Sequence, residues 1–205
     1  MKNRLEISDL SLAYGKRTIL EHISFTLAAG EAVALCGENG SGKTTLLTAA
    51  AGILRPTHGK IRRNGKVGYV PQSAALLEDM TFADNLRYFS AIARARVPQV
   101  LPLCADELRP MRVRDMSGGM KKLCSIVCTL VAAPDILLLD EPYAALDEAH
   151  AAMLTDYLGD FLQSGGSLLI AAHDADEYLP LASRRMLLAD GSMREETLTQ
   201  AETPV

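Results

Sequence analysis

The sequence predicts an α/β fold with an antiparallel sheet at the N-terminus and a largely parallel, helix-covered sheet behind it. Three observations predict it. From Leu5 to Leu27, apolar positions such as Leu5/Ile7 and Ile23/Phe25/Leu27 alternate with polar ones around a Tyr14-Gly15-Lys16 turn, the two-residue period of strands with one buried face. Further on, uninterrupted apolar runs at Val33 to Cys36, Val67 to Val70, Ile136 to Leu139, Leu168 to Ala172 and Met186 to Ala189 are separated by helical or loop segments. Strands buried on both faces read this way. Between Leu76 and Asp115 the character changes to that of a small helical insertion.

Each helical element has its own warrant. Residues 45–50 follow a glycine-rich loop with helix-compatible residues. From Thr81 to Ala95, Phe82, Leu86, Phe89 and Ile92/Ala93 are spaced for one face, and Pro98, Pro102 and Pro110 break the segment that follows. After Ser117, a good N-cap, Leu123, Ile126, Val127, Leu130 and Val131 recur at helical spacing. The last residues, about 194–205, are polar and without apolar periodicity and are expected to fray. The whole reads as one domain over residues 1–205, with a helical subdomain over about 76–130.

Composition narrows the function. A chain of 205 residues with 48% hydrophobic content can bury one good core. A net charge of −4 argues against nucleic-acid partners, which ask for a basic surface. The N-terminus, Met1-Lys2-Asn3-Arg4-Leu5-Glu6, lacks the apolar core of a signal peptide, and the apolar stretch from Leu123 to Ala133 is too short for a bilayer span, so a cytoplasmic protein is expected. Cys36, Cys104, Cys124 and Cys128 show no paired metal-ligand spacing, and read as small hydrophobic residues.

Residues 37–44, Gly-Glu-Asn-Gly-Ser-Gly-Lys-Thr, match the phosphate-binding pattern G-x-x-x-x-G-K-[ST] between a strand and a helix. The four fixed positions would match by accident in a chain of this length roughly 1% of the time. The glycines let backbone N–H groups curl around an anion, Lys43 supplies a point charge to the β- and γ-phosphates, and the Thr44 hydroxyl can ligate Mg²⁺. Gly37, Asn39, Gly40, Ser41, Gly42, Lys43, Thr44 and Thr45 are therefore candidate nucleotide-binding residues. The apolar run at Ile136 ends in Asp140-Glu141, which delivers two carboxylates to the same sheet edge: Asp140 to hold Mg²⁺ and Glu141 to polarise an attacking water.

The phosphate loop, Gln72 within Tyr69-Val70-Pro71-Gln72, Ser117-Gly118-Gly119, Asp140-Glu141, Ala145-Leu146-Asp147 and His173 occur in the order found in ATP-binding-cassette (ABC) ATPases. The chain resembles that family over nearly its whole length. The resemblance implies a P-loop NTPase fold with a RecA-like parallel-sheet core, an N-terminal antiparallel β subdomain and a small helical subdomain. It also implies ATP and Mg²⁺ as ligands and a head-to-tail dimer with a second ABC ATPase subunit, each ATP lying between Lys43 of one subunit and Ser117, Gly118 and Gly119 of the other. By the same resemblance, Gln72 would reach Mg²⁺ or the attacking water, His173 would hydrogen-bond the γ-phosphate and help place Glu141, Asp147 would bridge the dimer interface, and Tyr14 would stack on adenine.

Met120 stands where the commonest family version has Gln, and a thioether accepts only weakly. Related exporter ATPases often read Ser-Gly-Gly-Met-Lys there, as residues 117–121 do, and the segment from Leu77 to Phe89 looks like the part of exporter cassettes that contacts the permease. The resemblance thus implies an ATP-hydrolysing transporter subunit, on the cytoplasmic face of the plasma membrane, energising a separate transmembrane permease in the direction of export. An importer subunit, a soluble non-transport cassette and an ATP-binding module without turnover are the alternatives. The last would be expected to lose Glu141 or His173, and both are present.

Overall fold

The computed structural model describes residues 2–172 and 181–196. Two strands, β1 (Asn3–Tyr14) and β2 (Arg17–Ala28), form the expected antiparallel hairpin around Gly15, whose φ of 60° suits a residue without a Cβ. A third strand that the sequence pattern did not announce, β4 (His58–Arg63), pairs antiparallel with the other edge of β1. The second sheet runs in the order β5-β6-β7-β3-β8-β9, from β5 (Val67–Val70), β6 (Ile136–Asp140), β7 (Ser167–Ala171), β3 (Ala32–Cys36), β8 (Arg184–Ala189) and β9 (Ser192–Glu196). All of its pairs are parallel except β8 with β9. The expectation that the chain frays from about residue 194 is corrected for residues 194–196: β9 includes them, and Arg185 Nε donates to Glu196 Oε2 across the pair at 2.9 Å.

The two-residue period explains why the parallel strands are apolar throughout. Ile136 and Leu138 of β6, with Leu169 and Ala171 of β7, join the core shared with β1, β2 and helix α1 (Lys43–Ala51). Leu137 and Leu139, with Leu168 and Ile170, join the opposite core, under α2 (Phe82–Ala93), α3 (Gly118–Leu130) and α4 (Glu148–Gln163). Each strand must therefore satisfy a core on both faces.

Helix α2 follows the expected stripe only in part. Phe82 and Leu86 are buried and Phe89 packs against the core, but Ile92 is exposed, and the polar Asn85 and Ser90 are buried in its place. Cys124 and Cys128 lie in the α3 core and Cys36 in β3, as the reading of small hydrophobes expected, while Cys104 is exposed. Among the described residues, no helix is long and apolar enough to cross a membrane.

Candidate nucleotide-binding site

Strand β3 ends at Cys36 and α1 begins at Lys43, so the loop between them stands at the carboxyl edge of the parallel sheet, with the helix dipole directed at it. Its shape depends on glycine. Gly42, the N-cap of α1, has φ 106°, and a Cβ there would come within 2.8 Å of Leu20. A Cβ on Gly37, at φ 149°, would lie 2.4 Å from the carbonyl of Leu188. The Lys43 ammonium curls back over the loop and donates to the carbonyls of Gly37 at 2.6 Å and Glu38 at 3.1 Å. Ser41 Oγ is buried without a hydrogen-bond partner, an orphaned donor inside an anion-shaped cradle.

Asp140 arrives at this loop by strand periodicity. It shares the face of Ile136 and Leu138 that packs toward α1, and the Thr44 hydroxyl at the start of that helix is close enough to act on its carboxyl. Asp140 is 1% exposed, with Oδ2 lacking a partner. Burial pushes its pKa up against the lowering effect of the Thr44 hydroxyl. A buried carboxylate oxygen with an open lone pair, beside a threonine hydroxyl, is the donor set of a hard cation, and Mg²⁺ fits it.

Tyr69, not anticipated from the sequence, neighbours Asp140; it pairs with Leu138 across β5 and β6, which sets it on the same face. Burial first, then the neighbouring carboxylate, raises the Tyr69 phenol to about 12.

Glu141 lies one residue beyond β6, at φ 46°, a left-handed conformation uncommon outside glycine and frequent at functional sites. Its backbone N–H donates to Ala171 at 3.0 Å, fixing it to β7, and its side chain accepts from Gln72 Nε2 at 2.7 Å. Gln72 thus sits beside Glu141, although the two are 69 residues apart in the chain.

The remaining candidates are arranged less directly. A cleft of about 660 Å³ beside the loop is lined by Arg17, Thr18, Glu38, Asn39, Gly40 and Ser41, among others, and by none of Ser117, Gly118 or Gly119. Tyr14 is exposed at the end of β1, across the turn from Arg17 and Thr18. Thr45 lies in the first turn of α1, its carbonyl accepting from the Thr48 hydroxyl at 2.9 Å. Ser117 caps α3, its Oγ accepting from the Met120 N–H at 3.2 Å. Gly119 has a reason to be glycine within the chain itself, since a Cβ there would lie 2.7 Å from the Ala145 carbonyl. Asp147 caps α4 by accepting from the His150 N–H at 2.9 Å, and that bond, then the His150 ring, lowers its pKa. His173 lies outside the described residues.

A carboxyl-edge anion loop with its lysine and an acid pair ending β6 stand together at one sheet edge, and a serine-capped helix bearing Gly-Gly lies apart from their cleft. The family model described as "ABC transporter" matches residues 20–144. The chain belongs to the ABC transporter family. This cassette is 36% identical over 172 residues to the cytochrome c biogenesis ATP-binding export protein CcmA of Ruegeria pomeroyi, the match covering 82% of this chain and 84% of that protein. It is 34% identical over 214 residues to the ribose import ATP-binding protein RbsA 2 of Rhizobium etli, covering 91% of this chain and 42% of that one.

Among solved structures, the cassette superposes on the ATP-binding subunit of an ABC transporter with a TM-score of 0.82 at 28% identity, covering 95% of this chain and 90% of the other. The α/β P-loop fold is thereby that of ABC ATPase domains, which bind ATP. Its relatives include proteins named for export and for import.

Proposed function

We propose that this cassette hydrolyses ATP to drive a separate membrane permease, working as a head-to-tail pair with a second cassette at the cytoplasmic face of the plasma membrane. The observation that carries the reading is the convergence at one sheet edge of the Lys43 loop, the buried Asp140 with its open oxygen, and the Gln72–Glu141 pair. The loop N–H groups and Lys43 would hold the β- and γ-phosphates, and Ser41 Oγ would find its partner in a phosphate oxygen. Mg²⁺, held by Thr44 and Asp140 with Gln72 nearby, would neutralise charge on the β- and γ-phosphate oxygens. Glu141 would take the proton of the attacking water as its oxygen bonds to the γ-phosphorus and the bond to the β-phosphate oxygen breaks, giving ADP and inorganic phosphate.

The Ser117 end of α3 would serve the partner's ATP, as in the head-to-tail pairing that the family resemblance implies. A permease surface is supported by the exposed apolar side chains Leu77, Met80, Tyr88 and Ile92 on α2 and the turn before it. Export is the direction we favour, on the Ser-Gly-Gly-Met-Lys signature.

The test is isolation of the tagged protein from its native cells in mild detergent, together with ATPase assays of Glu141→Gln. Near-stoichiometric recovery of a polytopic membrane protein supports the transporter reading, and that partner's sequence class separates export from import. Recovery of soluble partners alone favours a non-transport cassette. Glu141→Gln is expected to retain ATP binding while turnover falls by about 100-fold or more; unchanged turnover would remove Glu141 from the role of base.

A further inference from the structure

Helix α3 carries adjacent lysines that do different things. Lys121 reaches outward to Glu78 at 2.9 Å, whereas Lys122 turns inward and is 4% exposed. A buried ammonium is costly unless its donors are satisfied, and Lys122 Nζ donates to the backbone carbonyls of Pro71 at 3.1 Å and Gln72 at 2.6 Å. Both carbonyls belong to the irregular segment leaving β5, where no ladder supplies them with donors. Burial pulls the Lys122 pKa down, and the carboxylates of Asp140 and Glu141 push it back up, so the acid pair helps keep the cation charged where it is.

These bonds form a continuous path. Lys122 holds the backbone of Gln72, and the side chain of Gln72 holds Glu141 at 2.7 Å. The same helix begins at Ser117, little more than one turn before Lys122.

We propose that Lys122 is a positioning residue for hydrolysis: by clamping the Pro71 and Gln72 carbonyls it fixes the point from which Gln72 reaches Glu141, and ties the signature end of α3 to the hydrolytic carboxylate. The inference rests on Glu141 acting as the base. Displacement of α3 by nucleotide at Ser117 is then transmitted to Gln72 through this clamp. No charge on Lys122 touches substrate; it acts through Gln72.

Steady-state ATPase kinetics on Lys122→Met, Lys122→Arg, Gln72→Ala and the Lys122→Met/Gln72→Ala double variant test this, with Glu141→Gln alongside. Lys122→Met is expected to lower kcat about 10- to 100-fold, the scale of a small misplacement of catalytic groups, and to leave KM for ATP within about twofold. Lys122→Arg, which keeps the cation and its donors, restores kcat to within about threefold of the parent. In the Gln72→Ala background, Lys122→Met costs less than about twofold more, because residues on one path are not additive.

A wild-type kcat in Lys122→Met, or losses that multiply in the double variant, would overturn the proposal. Either result leaves Glu141 as base so long as turnover by Glu141→Gln still falls by about 100-fold or more; unchanged turnover by Glu141→Gln would instead remove Glu141 from the role of base, the premise on which this inference rests. If Lys122→Met does not fold, Lys122→Gln, which keeps a donor, carries the same comparison.

Discussion

At Asp140, stability and chemistry oppose each other. Its carboxyl is buried with one oxygen unpartnered, and its pKa is raised by that burial, so the ionised form costs folding free energy above the raised pKa and the cost fades as pH falls below it. Asp140→Asn is expected to raise the melting temperature of the free protein and to abolish the extra stabilisation that Mg²⁺ adds in the presence of ATP, both read by thermal shift. On the antiparallel sheet, Asp9 accepts from His22 at 2.7 Å and His58 at 3.0 Å. The His22 hydrogen bond lowers the Asp9 pKa from 3.8, and Asp9 raises that of His22 from 6.5.

The His22 contribution is complete below 6.5 and is lost as pH rises through its raised value; the Asp9 contribution is complete above 3.8 and is lost as pH falls through its lowered value. The clasp is tightest between the two. An NMR titration of His22 should give a pKa above 6.5 that returns toward the ordinary value in Asp9→Asn. Neither the clasp nor the Gln72–Glu141 contact was legible in the sequence, since each joins residues whose proximity comes from strand pairing rather than spacing.

Among the elements, α2 shows where a stripe of apolar residues misleads. Its expected face included Ile92, which is exposed, while Asn85 is fully buried. The Asn85 amide bonds the Leu77 N–H and the Leu77 and Thr81 carbonyls, clipping the turn before α2 to the helix. Thr81 and Asp84 add a capping box at the same end. Asn85→Ala should cost about 1–3 kcal/mol in chemical denaturation, because it orphans buried backbone groups. The same turn presents Leu77 and Met80 outward, so that variant should also weaken any permease contact made there.

The apolar runs of β3, β5, β6 and β7 announced themselves because a strand between two cores needs apolar residues on both faces, and β8 because Met186 and Leu188 face one of those cores. Strands β4 and β9 did not. Each is an edge strand, His-Gly-Lys-Ile-Arg-Arg and Ser-Met-Arg-Glu-Glu respectively, and edges carry charge to discourage further pairing.

For the whole molecule, the proposed head-to-tail pairing would have one chain hold two halves of different sites. The Lys43 loop faces its own cleft, and the capped Ser117 terminus lies on a separate helix that does not line it. With Mg²⁺ and ATP, Glu141→Gln should sediment as a dimer, and addition of Lys43→Ala should return it to monomer. Analytical ultracentrifugation reads both. ATP at about a hundred times its dissociation constant should stabilise the cassette by about 2.7 kcal/mol, and Lys43→Ala should lose most of that.

The sequence by itself determined the family-wide framework: the glycine-dependent loop at residues 37–44, the acids at the end of β6, the Ser117 cap and the double-faced strands all follow from local chemistry that short patterns encode. Tertiary structure alone decided that Tyr69 would meet Asp140, that Gly119 must be glycine against the Ala145 carbonyl, and that of two neighbouring lysines Lys122 would be the buried one. The reason is physical: a motif specifies what a short stretch of backbone can do, but burial of a particular side chain depends on which strands pair and which helix lies over them.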